Sequence, residues 1–256
     1  MIEPFSIAID QVVLDDLQRR LHLARLPPSP EKPNWEDGTD VAYLAELIDH
    51  WRNRFDWRAQ EASLNRFTQF RGDVGGTQLH FVHERGNGPA PLPLLLAHGW
   101  PDSFWRFAKL IPLLTDPASH GGDPADAFDV VAPSLPGYAF SDRLPSSTEF
   151  TFGALFHQLM AEIGYDRYGA HGGDIGSMVC EQMGRSHTDR LVGIHLTDVP
   201  LQHAQTPPKS LSAAEKRYVG QVQQFREKGG GYMHIQGTKP WTPAAALNDS
   251  PAGLAA

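Results

Sequence analysis

The sharpest candidate for chemistry is the segment Gly172-Gly173-Asp174-Ile175-Gly176-Ser177, which stands between a strand-like and a helix-like segment. A tight strand-to-helix turn needs such small residues, because a Cβ near its centre would clash with the strand or the helix. The usual residue at the centre of such a turn is a nucleophilic Ser, and here it is Asp174. A carboxylate nucleophile forms an ester that must then be hydrolysed, which suits the sp³ carbon of an epoxide or alkyl halide. The alternative is a glycine loop whose Asp caps the following helix.

A second candidate is the loop His98-Gly99-Trp100-Pro101, which follows the apolar run Leu92 to Ala97. In hydrolases with a nucleophile at such a turn, this loop supplies one N–H of the oxyanion hole, and the residue after the nucleophile supplies the other. We therefore predict Trp100 and Ile175 as the backbone donors. The other three residues of the loop, His98, Gly99 and Pro101, are predicted to line the binding site. The alternative is a simple strand-to-helix turn.

The elements that must position these motifs alternate along the middle of the chain. Two alternating segments separated by Gly75-Gly76 predict a hairpin. Apolar strands then alternate with helices, which indicates an α/β protein with a mixed, mostly parallel sheet and helices on both faces. The turn Pro133 to Tyr138 is predicted to be purely structural. The predicted strands are 67–74, 77–84, 92–97, 128–132, 168–171 and 191–196, and the predicted helices of this part are 103–114, 151–163 and 175–185.

Both ends of the chain are predicted to be helical. Asp10 is predicted to cap a first helix, and apolar residues at helical spacing predict a second helix from Val41 through Phe55. Near the other end, a helix from Leu211 is predicted to break at Gly229-Gly230-Gly231. The last residues predict the first turns of another helix, which nothing later in the chain would pack.

Composition excludes several classes of function. The 256 residues carry a formal net charge of −8, which disfavours nucleic acid or an anionic membrane as a partner. Cys180 is the only cysteine, so an intramolecular disulfide and a cysteine-rich metal site are excluded. We expect neither a metal ion nor a cofactor. The N-terminus lacks the pattern of a signal peptide or membrane anchor, so we expect a soluble, cytoplasmic protein.

Further segments match the pattern of one enzyme family. With the His-Gly-Trp-Pro loop, the Ser-Leu-Pro-Gly-Tyr turn and the Gly-Gly-Asp-Ile-Gly turn, the sequence resembles the microsomal-type epoxide hydrolases and their soluble bacterial and fungal relatives. The resemblance runs nearly end to end. The additional segments that carry it are Phe55-Asp56-Trp57-Arg58, Glu61, Leu64-Asn65, Leu79-His80-Phe81, Gly231-Tyr232-Met233-His234-Ile235-Gln236 and Leu247-Asn248-Asp249-Ser250-Pro251.

The resemblance implies an α/β-hydrolase fold in three regions: an N-terminal helical region at 1–66, the first part of the core at 67–202 and a partial lid at 203–256. It implies that an epoxide becomes a vicinal diol through an ester on Asp174. Tyr232 in the lid would donate a proton or hydrogen bond to the epoxide oxygen. A role in detoxification or aromatic-hydrocarbon catabolism would follow.

The sequence also departs from the family pattern. Asp102 and Arg106 stand where the family usually has Gly and Glu. In the family, a second tyrosine and two later strands with the acid and the histidine complete the site, so we predict that this chain is truncated at its C-terminus. Of the later histidines, His203 is the one candidate for a substitute base, on a loop near the site. Asp198 could occupy the alternative position of the acid. His187, His195 and His234 are predicted to be structural, with His195 in a buried strand.

Two other functions remain open from the sequence. A haloalkane or haloacid dehalogenase on the same fold also uses an Asp nucleophile, and a non-catalytic truncated fragment would use none of these residues. A serine esterase is disfavoured because no Ser occupies the centre of the turn.

A sheet without its last strands would expose an unpaired edge, so we expect self-association or a complementing C-terminal chain.

Overall fold

A seven-stranded mixed sheet, in the order β1-β2-β3-β5-β4-β6-β7, forms the centre of the fold in the computed structural model. The structure describes residues 1–28, 35–144, 151–204 and 209–256. Three neighbouring pairs are antiparallel and three are parallel. The predicted α/β class and mixed sheet are confirmed, with a larger antiparallel part than predicted. The strands are β1 (Ile2–Phe5), β2 (Gln69–Val74), β3 (Thr77–Glu84), β4 (Leu92–Ala97), β5 (Phe128–Pro133), β6 (Tyr168–Gly172) and β7 (Leu191–Leu196).

The additional antiparallel pair comes from β1, which the sequence did not predict. This strand has only four residues, including Pro4, and is therefore too short to show an alternating pattern. It pairs with β2, where a Cβ on Gly72 would lie 2.6 Å from the Cα of Ile2. The predicted hairpin between β2 and β3 is confirmed. Gly75 and Gly76 form its turn with φ values of +57° and +79°, which glycine adopts without strain.

The helices mostly follow the predicted pattern. Asp10 precedes α1 as predicted, but its side chain makes no capping hydrogen bond. The predicted helix 103–114 is instead a 3-10 turn at Phe104–Phe107 followed by α4. Pro112 has no N–H and is tolerated only near the start of a helix, so the regular helix begins at Leu110. The described helices are α1 (Gln11–His22), α2 (Val41–Asn53), α3 (Trp57–Leu64), α4 (Leu110–Thr115), α5 (Phe152–Glu162), α6 (Ile175–Ser186), α7 (Ala213–Lys228), α8 (Gly231–Thr238), α9 (Trp241–Asp249) and α10 (Pro251–Ala255).

The chain divides into two compact units. The sheet unit comprises Met1–Ile7 and Ala62–His203, and the helical unit comprises Ala8–Glu61 and Ala204–Ala256. In the helical unit, Ala252 of α10 is buried in one cluster with Leu21, Leu44 and Ile48. The last helix is therefore packed by α1 and α2 from the start of the chain, which the sequence did not predict. The division into three regions at 66 and 202 stays a prediction.

The two sides of the sheet unit differ in burial. The side chains of β4 and β5 are largely buried, as the near-continuous apolar sequences of parallel strands require. In contrast, β7 is at the edge of the sheet, and Val192 and Ile194 are 51% and 42% exposed. The prediction that His195 lies in a buried strand is wrong, because no strand among the described residues covers the outer side of β7.

Candidate active site

Asp174 lies at the tight turn between β6 and α6, with φ +56° and ψ −122°. A residue other than glycine is uncommon at positive φ, and such strain costs on the order of 1–3 kcal/mol. The glycines around it are required by close packing. A Cβ on Gly172 would lie 2.1 Å from the carbonyl oxygen of Gly176, and a Cβ on Gly176 would lie 2.0 Å from that of Ala97. The predicted turn is therefore present, and its glycines bring β6 and α6 into contact.

The side chain of Asp174 does not cap α6, so the capping alternative is wrong. Its Oδ1 instead accepts a hydrogen bond from the backbone N–H of Trp100 at 2.9 Å. This is the one hydrogen bond that the side chain accepts from the described part of the chain, and the residue is exposed. A Cβ on Gly99 would lie 2.5 Å from both Cβ and Oδ1 of Asp174. Glycine at position 99 therefore lets the loop approach the carboxylate.

The two predicted oxyanion donors lie on either side of Asp174. The N–H of Trp100 already points at Oδ1. Ile175 is the first residue of α6, and the N–H groups of a first helical turn have no acceptor within the helix. The positive end of the helix dipole also favours negative charge at this point. Pro101 follows Trp100 across a cis peptide bond and is exposed. The roles of these residues toward a substrate stay predictions.

His98 is fully buried, and both of its ring nitrogens are engaged. Nε2 accepts from the backbone N–H of Leu135 at 3.0 Å, so Nδ1 carries the proton and donates to the carbonyl oxygen of Gly99 at 3.0 Å. Burial lowers the pKa of this imidazole, which keeps the ring neutral. The predicted binding residue thus holds the loop against the turn after β5, and its side chain lies away from any surface that a substrate could reach.

Tyr138 was predicted to belong to a purely structural turn, yet it lies close enough to Asp174 for their charges to interact. Burial raises the pKa of its hydroxyl, and the negative charge of Asp174 raises it further. Its ring packs edge-on against His98, with ring centres 5.3 Å apart. A clue was available in the sequence, because turns at the carboxyl ends of parallel strands surround the ligand site in α/β proteins.

Asp198 contacts the backbone of the turn. Its Oδ1 accepts a hydrogen bond from the N–H of Asp174 at 2.7 Å, and its Oδ2 lies 3.1 Å from Oγ of Ser177. The position predicted for an alternative acid is therefore occupied by a carboxylate that binds the turn itself. Among the described residues, no histidine forms a hydrogen bond with this carboxylate.

His203, the candidate base, is held away from the nucleophile. Its Nε2 lies 2.9 Å from a carboxylate oxygen of Glu181 on α6. Glu181 is six residues beyond Ile175, which corresponds to about 9 Å along a helix axis. The sequence predicted His203 on a loop near the site, whereas the structure has it in the 3-10 turn Leu201–Ala204. Its partner Glu181 could not be predicted from spacing along the chain.

The other histidines of the sheet unit that follow Asp174 also have partners elsewhere. His187 ends α6 and stacks on His157, with ring centres 3.8 Å apart. Nδ1 of His195 lies 2.7 Å from Nδ1 of His171, so one of the two nitrogens donates and the other accepts. Neither histidine forms a hydrogen bond with Asp174.

The two departures from the family pattern form a pair with each other. Nη1 of Arg106 lies 3.2 Å from Oδ2 of Asp102, which is four residues earlier in the chain. The negative charge that Asp102 adds beside the Trp100 loop is thus balanced by the positive charge of Arg106.

Tyr232 belongs to the helical unit, where it is the second residue of α8 and is 38% exposed. Its role toward the epoxide oxygen stays a prediction.

Within the described ranges, no helix is both long and apolar enough to span a membrane. The same residues contain no group of three or more His, Cys, Asp or Glu side chains arranged to hold a metal ion.

Comparisons with known families agree with this geometry. The family model described as "Epoxide hydrolase N terminus" matches residues 2–107, and the model for the alpha/beta hydrolase fold matches residues 93–232. The fold and the turn thus define an α/β hydrolase. The chain belongs to the epoxide hydrolase family within that fold.

Individual relatives show the same pattern. A Stigmatella aurantiaca protein of this family is 43% identical over 100% of this chain, which covers 58% of that protein. Epoxide hydrolase 1 of Sus scrofa is 36% identical, with 100% of this chain and 61% of that protein covered. The solved structure of Aspergillus niger epoxide hydrolase has a TM-score of 0.85 at 32% identity, covering 99% of this chain and 67% of that one. The chain therefore spans about three fifths of the length of the curated relatives that it matches.

Proposed function

We propose that this chain carries the nucleophile of an epoxide hydrolase, which converts a small-molecule epoxide to a vicinal diol through an ester on Asp174. The observation that carries the proposal is the state of the Asp174 carboxylate. It sits at a strained turn, does not cap its helix, and has one oxygen on the N–H of Trp100. Its other oxygen accepts no hydrogen bond from the described residues and is available to attack carbon.

In the alkylation step, Oδ2 of Asp174 forms a bond to a ring carbon of the epoxide while the C–O bond of the ring breaks. The oxygen that leaves needs a proton, and we assign this donor role to Tyr232, as the family resemblance implies. The hydroxyl of Tyr138 keeps its proton near Asp174, because burial and the carboxylate both raise its pKa. It is therefore a second hydroxyl that could donate a hydrogen bond at the site.

In the hydrolysis step, water attacks the carbonyl carbon of the ester and regenerates the carboxylate. The ester carbonyl oxygen would be Oδ1, on which the N–H of Trp100 already lies at 2.9 Å. The N–H of Ile175 would be the second donor to the oxyanion. This step also requires a base, and His187, His195 and His203 are each engaged elsewhere. We therefore expect the 256-residue chain to form the ester and to turn over negligibly.

Intact mass spectrometry with styrene oxide tests this proposal. We expect an adduct of one epoxide on the wild-type chain and none on Asp174→Asn, because an amide is a poor nucleophile. The matched control is Asp166→Asn, an exposed carboxylate near the other end of β6, which should form the adduct like the wild type. Absence of an adduct on the folded wild-type chain would sink the proposal. Sustained diol production would contradict the expected lack of a base, and His203→Ala would then be the first variant to measure.

The unpaired side of β7 leads to a proposal about partners. Val192 and Ile194 are 51% and 42% exposed on an edge strand, and such an edge favours pairing with another polypeptide. We propose that the chain self-associates or binds a complementing chain there, which light scattering on the purified protein measures directly. A cytoplasmic location and a role in detoxification or aromatic-hydrocarbon catabolism stay predictions.

A further inference from the structure

The backbone of Asp174 is held by two side chains, one from the first turn of α6 and one from the segment that follows β7. The carboxylate of Asp198 accepts the Asp174 N–H at 2.7 Å. Oγ of Ser177 lies 2.7 Å from the Asp174 carbonyl oxygen and 3.1 Å from Oδ2 of Asp198. The single hydroxyl proton of Ser177 can serve one of these two oxygens at a time. Ser177 is fully buried, so its position is set by packing.

The segment that carries Asp198 is itself fixed against β6. The N–H of Thr197 donates to the carbonyl oxygen of Gly172 at 3.1 Å, which extends the pairing of β6 and β7 beyond Leu196. A Cβ on Gly173 would lie 2.3 Å from Oγ1 of Thr197. Glycine at position 173 therefore lets this segment lie close against the turn.

A strained backbone conformation persists only where several surrounding interactions hold it in place. The positive φ of Asp174 is such a strained conformation, and a charge-assisted hydrogen bond to its N–H opposes relaxation of the turn. Without Asp198, the N–H of Asp174 would face solvent and the turn could relax. The carboxylate of Asp174 would then rotate away from the N–H of Trp100, to which it is held at 2.9 Å.

We propose that Asp198 is a positioning residue, which holds the turn so that Asp174 keeps Oδ1 on Trp100 and points Oδ2 at the epoxide carbon. This inference rests on the proposed function. It replaces the alternative in which Asp198 orients a histidine, because both of its oxygens face the turn. Asp198 acts through the backbone of Asp174 and does not need to touch the substrate.

The kinetic signature follows from this role. A misplacement of about 1 Å costs roughly 100-fold in rate, while the epoxide pocket stays unchanged. We therefore expect Asp198→Ala to lower the maximal rate of adduct formation about 10- to 100-fold, with the half-saturating epoxide concentration unchanged. Asp198→Asn keeps an oxygen that can accept the Asp174 N–H, so it should stay within about threefold of the wild type.

The experiment is time-resolved intact mass spectrometry at several styrene oxide concentrations. Asp189→Ala is the matched control, because its carboxylate lies just before β7 and is 79% exposed. An unchanged rate in Asp198→Ala would overturn the proposal. So would equal losses in Asp198→Asn and Asp198→Ala, since the charge and not the hydrogen bond would then matter.

A second measurement does not depend on epoxide chemistry. Hydrogen exchange of the Asp174 amide, followed by NMR on ¹⁵N-labelled protein, should be slow in the wild type and Asp198→Asn. It should be at least about tenfold faster in Asp198→Ala, and equal exchange in all three would overturn the inference. If the wild type forms no adduct, the proposed function is wrong, and the exchange result still decides whether Asp198 holds the turn. Should Asp198→Ala not fold, Asp198→Ser gives the same comparison, because its hydroxyl is too short to reach the amide.

Discussion

Two aspartates at opposite ends of the same sheet have opposite surroundings. Asp129 is the second residue of β5, and its carboxylate accepts hydrogen bonds from Tyr165, Arg85 and the backbone of Gly86 at 2.6, 2.8 and 2.8 Å. Its side chain is only 11% exposed. Asp174 lies two residues beyond the end of β6 and is exposed, and its side chain accepts a hydrogen bond from Trp100 alone among the described residues.

This difference separates a structural carboxylate from the one that we propose as the nucleophile. Burial alone would raise the pKa of Asp129, but the hydrogen bonds from Tyr165, Gly86 and Arg85 outweigh it, and the pKa is lowered. The lone pairs of that carboxylate are occupied, so it stabilises the fold and is a poor nucleophile. Asp174 keeps one oxygen available because the turn holds it by its backbone. The number of donors around each carboxylate, and not the residue type, decides its role.

The largest effect on adduct formation is expected from a side chain that fills the space beside the Asp174 carboxylate. Gly99→Ala would place a Cβ 2.5 Å from the Asp174 carboxylate and displace it. We expect about a 100-fold lower rate of adduct formation with styrene oxide. Gly193→Ala is the control, because a Cβ there meets nothing within 4 Å. Neither glycine has positive φ, so the pair tests space alone. A Gly99→Ala variant as fast as Gly193→Ala would show that Asp174 is not confined by the loop.

The next effect concerns Asp129, where stability should change and chemistry should not. Asp129→Asn removes a charged acceptor of three donors, and we expect a loss of about 2 kcal/mol in the free energy of unfolding. Arg85 contributes little of this, because its side chain is 66% exposed. Urea unfolding measures the loss, with the exposed Asp126→Asn as control. The folded variant should form the adduct at the same rate as the wild type. A lower rate would mean that Asp129, like Asp174, affects the chemistry.

The pH dependence of this loss has a definite sign. The pKa of Asp129 is lower in the folded chain than the ordinary value of about 3.9 in an unfolded one. Its contribution is therefore complete above that value and disappears as the pH falls through the folded pKa. The difference between wild type and Asp129→Asn should be constant from about pH 7 to 5 and should shrink below about pH 4. A difference that grows in acid would contradict this account.

The smallest effect is expected for a third aspartate, Asp102, whose partner is exposed. The side chains of Arg106 and Asp102 are 37% and 35% exposed, so solvent screens their attraction. A double-mutant cycle with Asp102→Asn and Arg106→Gln should give a coupling below about 1 kcal/mol in urea unfolding. A larger coupling would mean that the pair is part of the site's framework, as Asp129 is for the opposite end of the sheet.

Much of this architecture is determined by local sequence. The hairpin follows from Gly75-Gly76, and β4 and β7 have the predicted bounds because mostly apolar segments end there at polar residues. The turn at Asp174 follows from the spacing of Gly172, Gly173 and Gly176, since only residues without a Cβ fit there. Each of these features depends on neighbours within a few positions, which a single sequence displays.

Only the tertiary structure decided which distant residues meet. It placed Tyr138 near Asp174, tied His203 to Glu181, and turned Asp198 toward the Asp174 amide. It also left β7 exposed, although the sequence predicted a buried strand there. Strand order and side-chain direction arise from the packing of the whole sheet. The spacing of residues along the chain does not indicate strand order or side-chain direction, so the partners of these residues could not be predicted from the sequence.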